Sequence, residues 1–337
     1  MQLVKNVKHI GKILDTSSAY HIALTGTENY LPWIGVTMAS IMEHNKGNHF
    51  VFHVLVDKTS KDDLEKFQSF ASQWGTDLIL YYMDDEVLAQ YSKFDRYFID
   101  GRYIPTLVYR FVIPEVVAWD IKRVLYLDGD IVCNGDITEF MDLNLEGNIV
   151  GVSEDLKGSE YAGRTHVAKY FNAGIILIDA DKWRHENLTD QFLQKMKHES
   201  EIHPELPCAD QDILNTYLDN KALFVSHKYN MPYRLVQPSF FKARIENEDA
   251  MQASLVHFIG AIKPWTTYNQ SVPIVKVWAH AKDNSPWKDV PLHEPTSQKA
   301  IHQAARDARR RRCYGEMVVW YLKFIKSKMD GTRTVGY

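Results

Sequence analysis

The sequence predicts an α/β fold organised around a mostly parallel central sheet, and three observations carry that expectation. Apolar, β-branched runs of strand length recur at His21–Thr25, Phe50–Val56 and Asp77–Tyr82. The segments between them have the length and apolar spacing of single helices, and a strand–helix–strand rhythm implies crossovers between parallel neighbours. A fourth run, Lys122–Leu127, ends abruptly in Asp128-Gly129-Asp130, and in open α/β sheets ligands bind beyond the carboxyl ends of strands.

The remaining elements follow the same periodicities. After the loop Gly26–Glu28, Asn29 opens a helical pattern with Trp33, Val36, Thr37, Ser40 and Ile41 at helical spacing. Ser60–Phe70 places Leu64, Phe67 and Phe70 on one helix face, and Thr106–Trp119 reads as a helix that Pro114 should bend or split. Asn148–Ser153 and Ala173–Asp179 read as strands, and Asp181–Lys197 as a helix with Trp183, Leu188, Phe192 and Met196 inward. Asp210–Leu218 opens with carboxylates suited to a helix N-terminus. Leu255–His257 ends one more strand. Beyond Trp265, Pro- and Trp-containing segments give way to a basic helix, so the expected division is an α/β domain of residues 1–267 and a mainly helical appendage of residues 268–337.

Composition narrows the class. The 337 residues are 45% hydrophobic and 24% charged with 17 Gly and 12 Pro, which excludes collagen-like and disordered chains. Lys5, Lys8 and Lys12 interrupt the N-terminal apolar positions as no signal peptide would, and no run approaches the roughly 18 apolar residues of a spanning helix. Cys133, Cys208 and Cys313 are odd in number and lack metal-type spacing, which suits a reducing compartment, so a cytoplasmic location is expected. The net charge of −4 is unevenly placed: residues 306–328 hold eight Lys/Arg and two Asp/Glu, a local +6. A nucleic-acid binder would spread basic residues over its working face. A single terminal block points instead to surface attachment, with no nucleic acid as partner.

Four segments carry candidate chemistry. Asp128 and Asp130, with Gly129 between them, can reach one divalent cation from a tight turn; hard oxygen ligands suit Mn²⁺ or Mg²⁺. Taken alone, such a triplet is often only a solvated acidic turn. In the run from His257 to Trp265, a neutral imidazole can complete a carboxylate metal site, Gly260 lets backbone approach a phosphate, and Lys263 offers a point charge to a phosphate oxygen. Trp265 fits either a sugar platform or a core aromatic. Asn172, followed by small Ala173 and Gly174, can donate to and accept from a sugar hydroxyl. Asp210 and Gln211 at a helix start could hold sugar hydroxyls or serve only as N-terminal caps.

Taken together, YLDGDIVCNGDI, YFNAGIILID, DQDILN and HFIGAIKPW resemble glycosyltransferase family 8, over roughly residues 20–265. The resemblance implies a GT-A nucleotide-sugar-binding domain that is a retaining UDP-glucosyl- or UDP-galactosyltransferase. It implies Asp128, Asp130 and His257 as metal ligands, and Gly260 and Lys263 at the diphosphate. Asn172, Arg110, Asp210 and Gln211 would surround the donor hexose, with Asp155 a site acid near the sugar. Thr27, Asn29 and Tyr30 would meet the nucleotide base, although Thr27 stands where the family usually has an acid. Asp210, Gln211 and Asp155 are the candidate catalytic residues. Gln211 or Asp210 as nucleophile competes with same-face attack assisted by the leaving diphosphate, and the second is expected because an amide oxygen is weakly basic.

The segment beginning Asn284-Ser285-Pro286-Trp287-Lys288-Asp289 resembles the C-terminal part of bacterial lipopolysaccharide-core members of the family. That implies a lipopolysaccharide outer-core acceptor at the cytoplasmic face of the inner membrane. Another glycan or protein acceptor, or a non-catalytic UDP-sugar-binding scaffold, are the alternatives. In the tail, Met317, Trp320, Tyr321, Phe324 and Ile325 form one apolar stripe beside the basic block, as in helices that lie on anionic bilayers. The same stripe would also serve to dock the helix on the protein's own surface.

Overall fold

The structure is a computed structural model that describes residues 2–12, 18–95, 98–99, 102–103, 105–205, 208–235 and 247–329. Its strands are β1 (Val4–Ile10), β2 (Tyr20–Gly26), β3 (Phe50–Val56), β4 (Asp77–Met83), β5 (Phe98–Ile99), β6 (Arg102–Tyr103), β7 (Arg123–Leu127), β8 (Ile131–Cys133), β9 (Val150–Val152), β10 (Ile175–Asp179), β11 (Ala222–Phe224), β12 (Met231–Tyr233) and β13 (Leu255–Phe258). Eight of them form one sheet in the order β1-β4-β3-β2-β7-β10-β9-β11. All run the same way except β1, at one edge, and β10, which lies antiparallel to both β7 and β9.

Period-two alternation divides this sheet between two cores. Leu24, Phe52, Val54, Leu80, Leu125 and Leu127 face the helices Leu31–His44 and Lys61–Trp74. Ala23, Leu55, Tyr81, Val124 and Tyr126 face Thr106–Val116 and Leu188–Ile202. Central strands buried on both faces read as continuous apolar runs, which is why they were legible. The edge strand β1 carries exposed Lys5, Asn6 and His9, the usual protection of a free edge, and its weak pattern did not announce a strand.

Local chemistry sets the helix bounds. Ser60 and Asp63 form a reciprocal capping box that starts Lys61–Trp74, and Gly75 closes it in the left-handed conformation. The helix expected to reach Trp119 ends at Val116, two residues after Pro114. Arg184 donates to the carbonyls of Pro114, Val117, Ala118, Trp119 and Ile121 around that end. The single helix expected over 181–197 is two, Ala180–His185 and Leu188–Ile202, divided where Asn187 adopts φ 53°.

The expected appendage, residues 268–337, divides physically in two. Helix Pro273–Asp283 packs into the same core as Leu31–His44, with Trp278 beside Trp33. Trp287 lies fully buried against Phe67 and Phe70, over Gly35, where a Cβ would stand 2.4 Å from the indole. Beyond it, helices Gln298–Arg310 and Tyr314–Met329 form a hairpin. No helix among the described residues is long and apolar enough to cross a membrane.

The hairpin corrects the reading of the tail. Met317, Trp320, Tyr321 and Phe324 are half-buried; His302 stacks on Phe324 at 4.6 Å, and Trp320 packs near Tyr268, Ala300 and Ala304. Of the expected stripe only Ile325 is largely exposed. The outward apolar side chains are Val318, Val319, Leu322, Ile325 and Met329, with Leu322 61% exposed. The cause lies in the sequence MVVWYLKFI, which is apolar on more than one side of a helix, so that a 3.6-residue period fits two different faces.

Candidate active site

The site lies at the end of β7, where the chain passes through Asp128-Gly129-Asp130 directly into β8. Strand β8 pairs antiparallel with β13, and the register sets Ile131 opposite His257. That pairing carries His257 across 127 positions of sequence to Asp130. Phe258 N–H donates to the Asp130 carbonyl at 2.9 Å and Asp128 N–H to the Gly174 carbonyl at 2.8 Å, which ties the turn to both flanking segments. Gly129 is a glycine for space: a Cβ there would stand 2.8 Å from Ile34 and 2.9 Å from the Tyr30 ring.

Asp128, Asp130 and His257 present ligand atoms that all lie within 4.8 Å of one another, the one such group among the described residues. Nε2 of His257 stands 3.2 Å from Oδ1 of Asp130 and 3.7 Å from Oδ2 of Asp128. In each residue the other polar atom is anchored elsewhere. Asp128 Oδ1 accepts from Tyr126 Oη and, at 3.3 Å, from Arg110 Nη2. Asp130 Oδ2 is paired with the Lys263 ammonium, which also donates to the Phe258 carbonyl at 2.7 Å. His257 Nδ1 lies 3.2 Å from Asn172 Oδ1. Asp130 Oδ1 is buried without a hydrogen bond. Two carboxylates and an imidazole converging on a gap with an unmet acceptor fit a divalent cation of the Mn²⁺ or Mg²⁺ type.

Burial and charge oppose each other here. Desolvation raises the Asp130 carboxyl, but Lys263 and then His257 outweigh it and hold the group below the usual carboxylate range. Asp210 is raised by burial, against the pull of Arg110. Tyr30, beneath the acidic pair, is pushed well above the usual phenol value by burial and then by Asp130 and Asp128.

The expected sugar-side residues cluster on the far side of Asp128. Arg110 bridges Asp128 and Asp210, with Nη1 at 3.3 Å from Asp210 and 3.0 Å from the Ala173 carbonyl. Asn172 Nδ2 donates to Asp155 at 3.1 Å, and Gln211 Nε2 approaches Asp155 at 3.4 Å. Gln211 Oε1 accepts the Ala173 N–H at 3.0 Å. Asp212, in the same DQDILN segment, turns away to Tyr170 and Arg164. Close approach is built into Gly174, where a Cβ would stand 2.2 Å from His257 Cε1 and 2.8 Å from Asp128 Oδ2.

On the opposite side, Tyr30 meets Trp265 edge to face, and Trp265 stacks on Trp33 at 5.0 Å. Trp265 is a core aromatic, so of its two expected roles the sugar platform is excluded. Thr27 precedes the turn 28–30 and Asn29 is exposed. Glu28 anchors this loop through a 2.8 Å bond from its N–H to Asp57. Gly260 adopts φ 90°, with the Arg234 guanidinium 3.1 Å from where a Cβ would stand. Sequence reading missed Tyr126 and Asn230. Tyr126 was within reach, because the two-residue strand period places it on the same side as Asp128.

Comparison with known proteins agrees with this geometry. Residues 21–269 match the family model for glycosyl transferase family 8, and residues 273–328 match that for its C-terminal region. The chain is 30% identical to a lipopolysaccharide 1,3-galactosyltransferase of Salmonella typhimurium, over 92% of this chain and 91% of that one. It is 27% identical to a lipopolysaccharide glucosyltransferase of Escherichia coli, over 91% of each. Among solved structures, the galactosyltransferase LgtC in complex with donor and acceptor sugar analogues superposes with a TM-score of 0.60 at 21% identity, covering 79% of this chain and 96% of that one. The bifunctional glycosyltransferase WbbM superposes at 0.66 and 20% identity, over 83% of this chain and 52% of that one. The matches over residues 21–269 and 273–328, with a relative 30% identical over 92% of the chain, identify it as a glycosyltransferase belonging to family 8.

Proposed function

We propose that this enzyme transfers glucose or galactose from its UDP conjugate to a sugar hydroxyl of the lipopolysaccharide outer core, with retention of the α configuration. The observation that carries the reading is the convergence of Asp128, Asp130 and His257 on one gap beside Lys263. The lipopolysaccharide acceptor is taken from the relatives that align over nearly the whole chain.

A divalent cation held by those three residues would supply Lewis-acid stabilisation of the departing diphosphate. Lys263 adds a positive charge on the same side, and Gly260 lets the backbone approach a phosphate oxygen. Thr27, Asn29 and Tyr30 lie at the edge assigned to the base. Arg110 and Asn172, held by Asp128, Asp210 and Asp155, orient the hexose. Neither nucleophile candidate is well placed for double displacement. Gln211 Oε1 already accepts the Ala173 N–H, and Asp210 is paired with Arg110. Same-face attack fits better, with the chain contributing position and fixed charge.

The test is a panel of UDP-sugars against truncated core oligosaccharides, with Mn²⁺, Mg²⁺ or EDTA present. Transfer of glucose or galactose that stops in EDTA supports the reading, and proton NMR of the first product should show an α linkage. Full activity in EDTA, or a β-anomeric coupling, rejects it.

Peripheral attachment to the inner membrane belongs to the same proposal. Arg309, Arg310, Arg312, Lys323, Lys326 and Lys328 are exposed around the outward stripe Val318, Leu322, Ile325 and Met329. Each basic side chain near an anionic surface contributes on the order of 1 kcal/mol. Leu322→Glu and Ile325→Glu should abolish salt-sensitive cosedimentation with vesicles containing phosphatidylglycerol while leaving UDP-sugar hydrolysis intact. Unchanged cosedimentation would refute the attachment.

A further inference from the structure

We propose that Asn230 is a positioning residue which, through Asn172, fixes the tautomer and direction of His257. The proposal rests on the metal reading of Asp128, Asp130 and His257, and concerns what aims the imidazole at that gap.

One backbone donor fixes the role of every polar atom around Asn172 Oδ1. The backbone N–H of Gly174 lies 3.1 Å from Asn172 Oδ1, so that atom is the carboxamide oxygen and accepts. The two other polar atoms against it must then donate. One is Asn230 Nδ2 at 3.1 Å; the other is His257 Nδ1 at 3.2 Å, which therefore carries its proton. A neutral imidazole protonated at Nδ1 leaves the lone pair on Nε2, the atom that faces Asp128 and Asp130. Asn172 Nδ2 is tied to Asp155 at 3.1 Å, which keeps the amide from turning over.

Asn230 owes its place to the second sheet. It directly precedes β12, whose parallel pairing with β13 sets Pro232 opposite His257. The side chain is 1% exposed, and its Oδ1 has no hydrogen-bond partner. An apolar residue of the same size would avoid that unmet buried acceptor. What Asn230 supplies that an apolar residue cannot is the donor to Asn172. The second Nδ2 hydrogen of Asn172 is only loosely engaged, 3.5 Å from Gln211 Oε1, and stays available to a sugar hydroxyl. Asn172 can therefore orient His257 at one end and meet the donor sugar at the other.

Two measurements on the full-length protein test this. Nitrogen-15 NMR of histidine-labelled protein with Mg²⁺, with the His257 signal identified by its loss in His257→Asn, should show Nδ1 protonated and Nε2 without a proton. The reverse tautomer overturns the proposal and needs no variant at position 230. In calorimetric titration with Mn²⁺, Asn230→Leu should bind about ten- to a hundredfold more weakly than wild type, as loss of an outer partner commonly does. The same variant should show a mixture of His257 tautomers. Wild-type affinity together with an unchanged tautomer in a folded Asn230→Leu protein also overturns it. If wild-type protein binds no Mn²⁺, the metal reading itself fails, while the tautomer measurement still decides the role of Asn230.

Discussion

Gly174→Ala is the smallest perturbation aimed at the site. The added Cβ would stand 2.2 Å from His257 Cε1, 2.7 Å from its Nδ1 and 2.8 Å from Asp128 Oδ2. Carbon atoms rest about 3.5–4.0 Å apart, so the imidazole must withdraw by more than about 1 Å. Ligand atoms of a metal site tolerate about 0.2 Å. Turning the ring instead would break its contact with Asn172, and the backbone is held by the Asp128 N–H at 2.8 Å. Overpacking costs about 1–3 kcal/mol in folding, a shift of a few degrees in melting temperature. Metal-dependent turnover should fall at least about a hundredfold, which corresponds to about 2.7 kcal/mol of lost transition-state stabilisation. The assay pairs thermal denaturation without metal against Mn²⁺ calorimetry and UDP-sugar hydrolysis. A folded variant with wild-type Mn²⁺ affinity and turnover would refute the reasoning.

Asp128→Asn, Asp130→Asn and His257→Ala should each reduce turnover at least about a hundredfold, the usual loss for a transition-state charge stabiliser; steady-state hydrolysis with saturating Mn²⁺ checks this. Trp287→Ala should cost about 3–5 kcal/mol by urea denaturation, because the indole is fully buried between Gly35, Phe67 and Phe70. Trp287→Phe should cost far less, since it removes an indole N–H that has no partner. His53 is lowered to about 3 by burial and then by His21 and His9. A histidine kept neutral in the fold contributes stability above its unfolded value near 6.5, and loses it as pH falls toward 3. Between pH 7 and pH 5 the unfolding free energy should therefore drop by about 2 kcal/mol on account of His53, a slope that His53→Gln should flatten in denaturant titrations.

What the sequence made legible was set by the range of the interactions involved. Strands β2, β3, β4 and β7 announce themselves because they are buried on both faces, and Lys61–Trp74 because Leu64, Phe67 and Phe70 recur at helical spacing within one short segment. The reversed direction of β10 has no local signature; it depends on which strands it pairs with. The site divides in the same way. Each ligand candidate stands in a compact motif and could be named singly, as could Lys263. The atoms that aim each ligand come from another segment of the chain: Arg110 for Asp128, Lys263 for Asp130, and Asn172 with Asn230 for His257. The β8–β13 register and the pairing of β12 beside it bring His257 and Asn230 to the turn, while the β7–β10 pairing brings Asn172 there.

The tail shows the converse, a strong local pattern that underdetermines its use. Periodicity finds an apolar stripe on Tyr314–Met329, but a helix carrying Val318, Val319 and Leu322 as well as Trp320, Tyr321 and Phe324 has two. The choice between them is made by the preceding helix. Ala300 and Ala304 present a surface of small side chains against which Trp320 packs, while His302 stacks on Phe324. The aromatic face is thereby used within the protein, and the aliphatic face is left outward among the lysines. In the proposed attachment the bilayer would meet branched aliphatic side chains, so the hold would depend on the anionic charge of the lipid more than on deep insertion of rings.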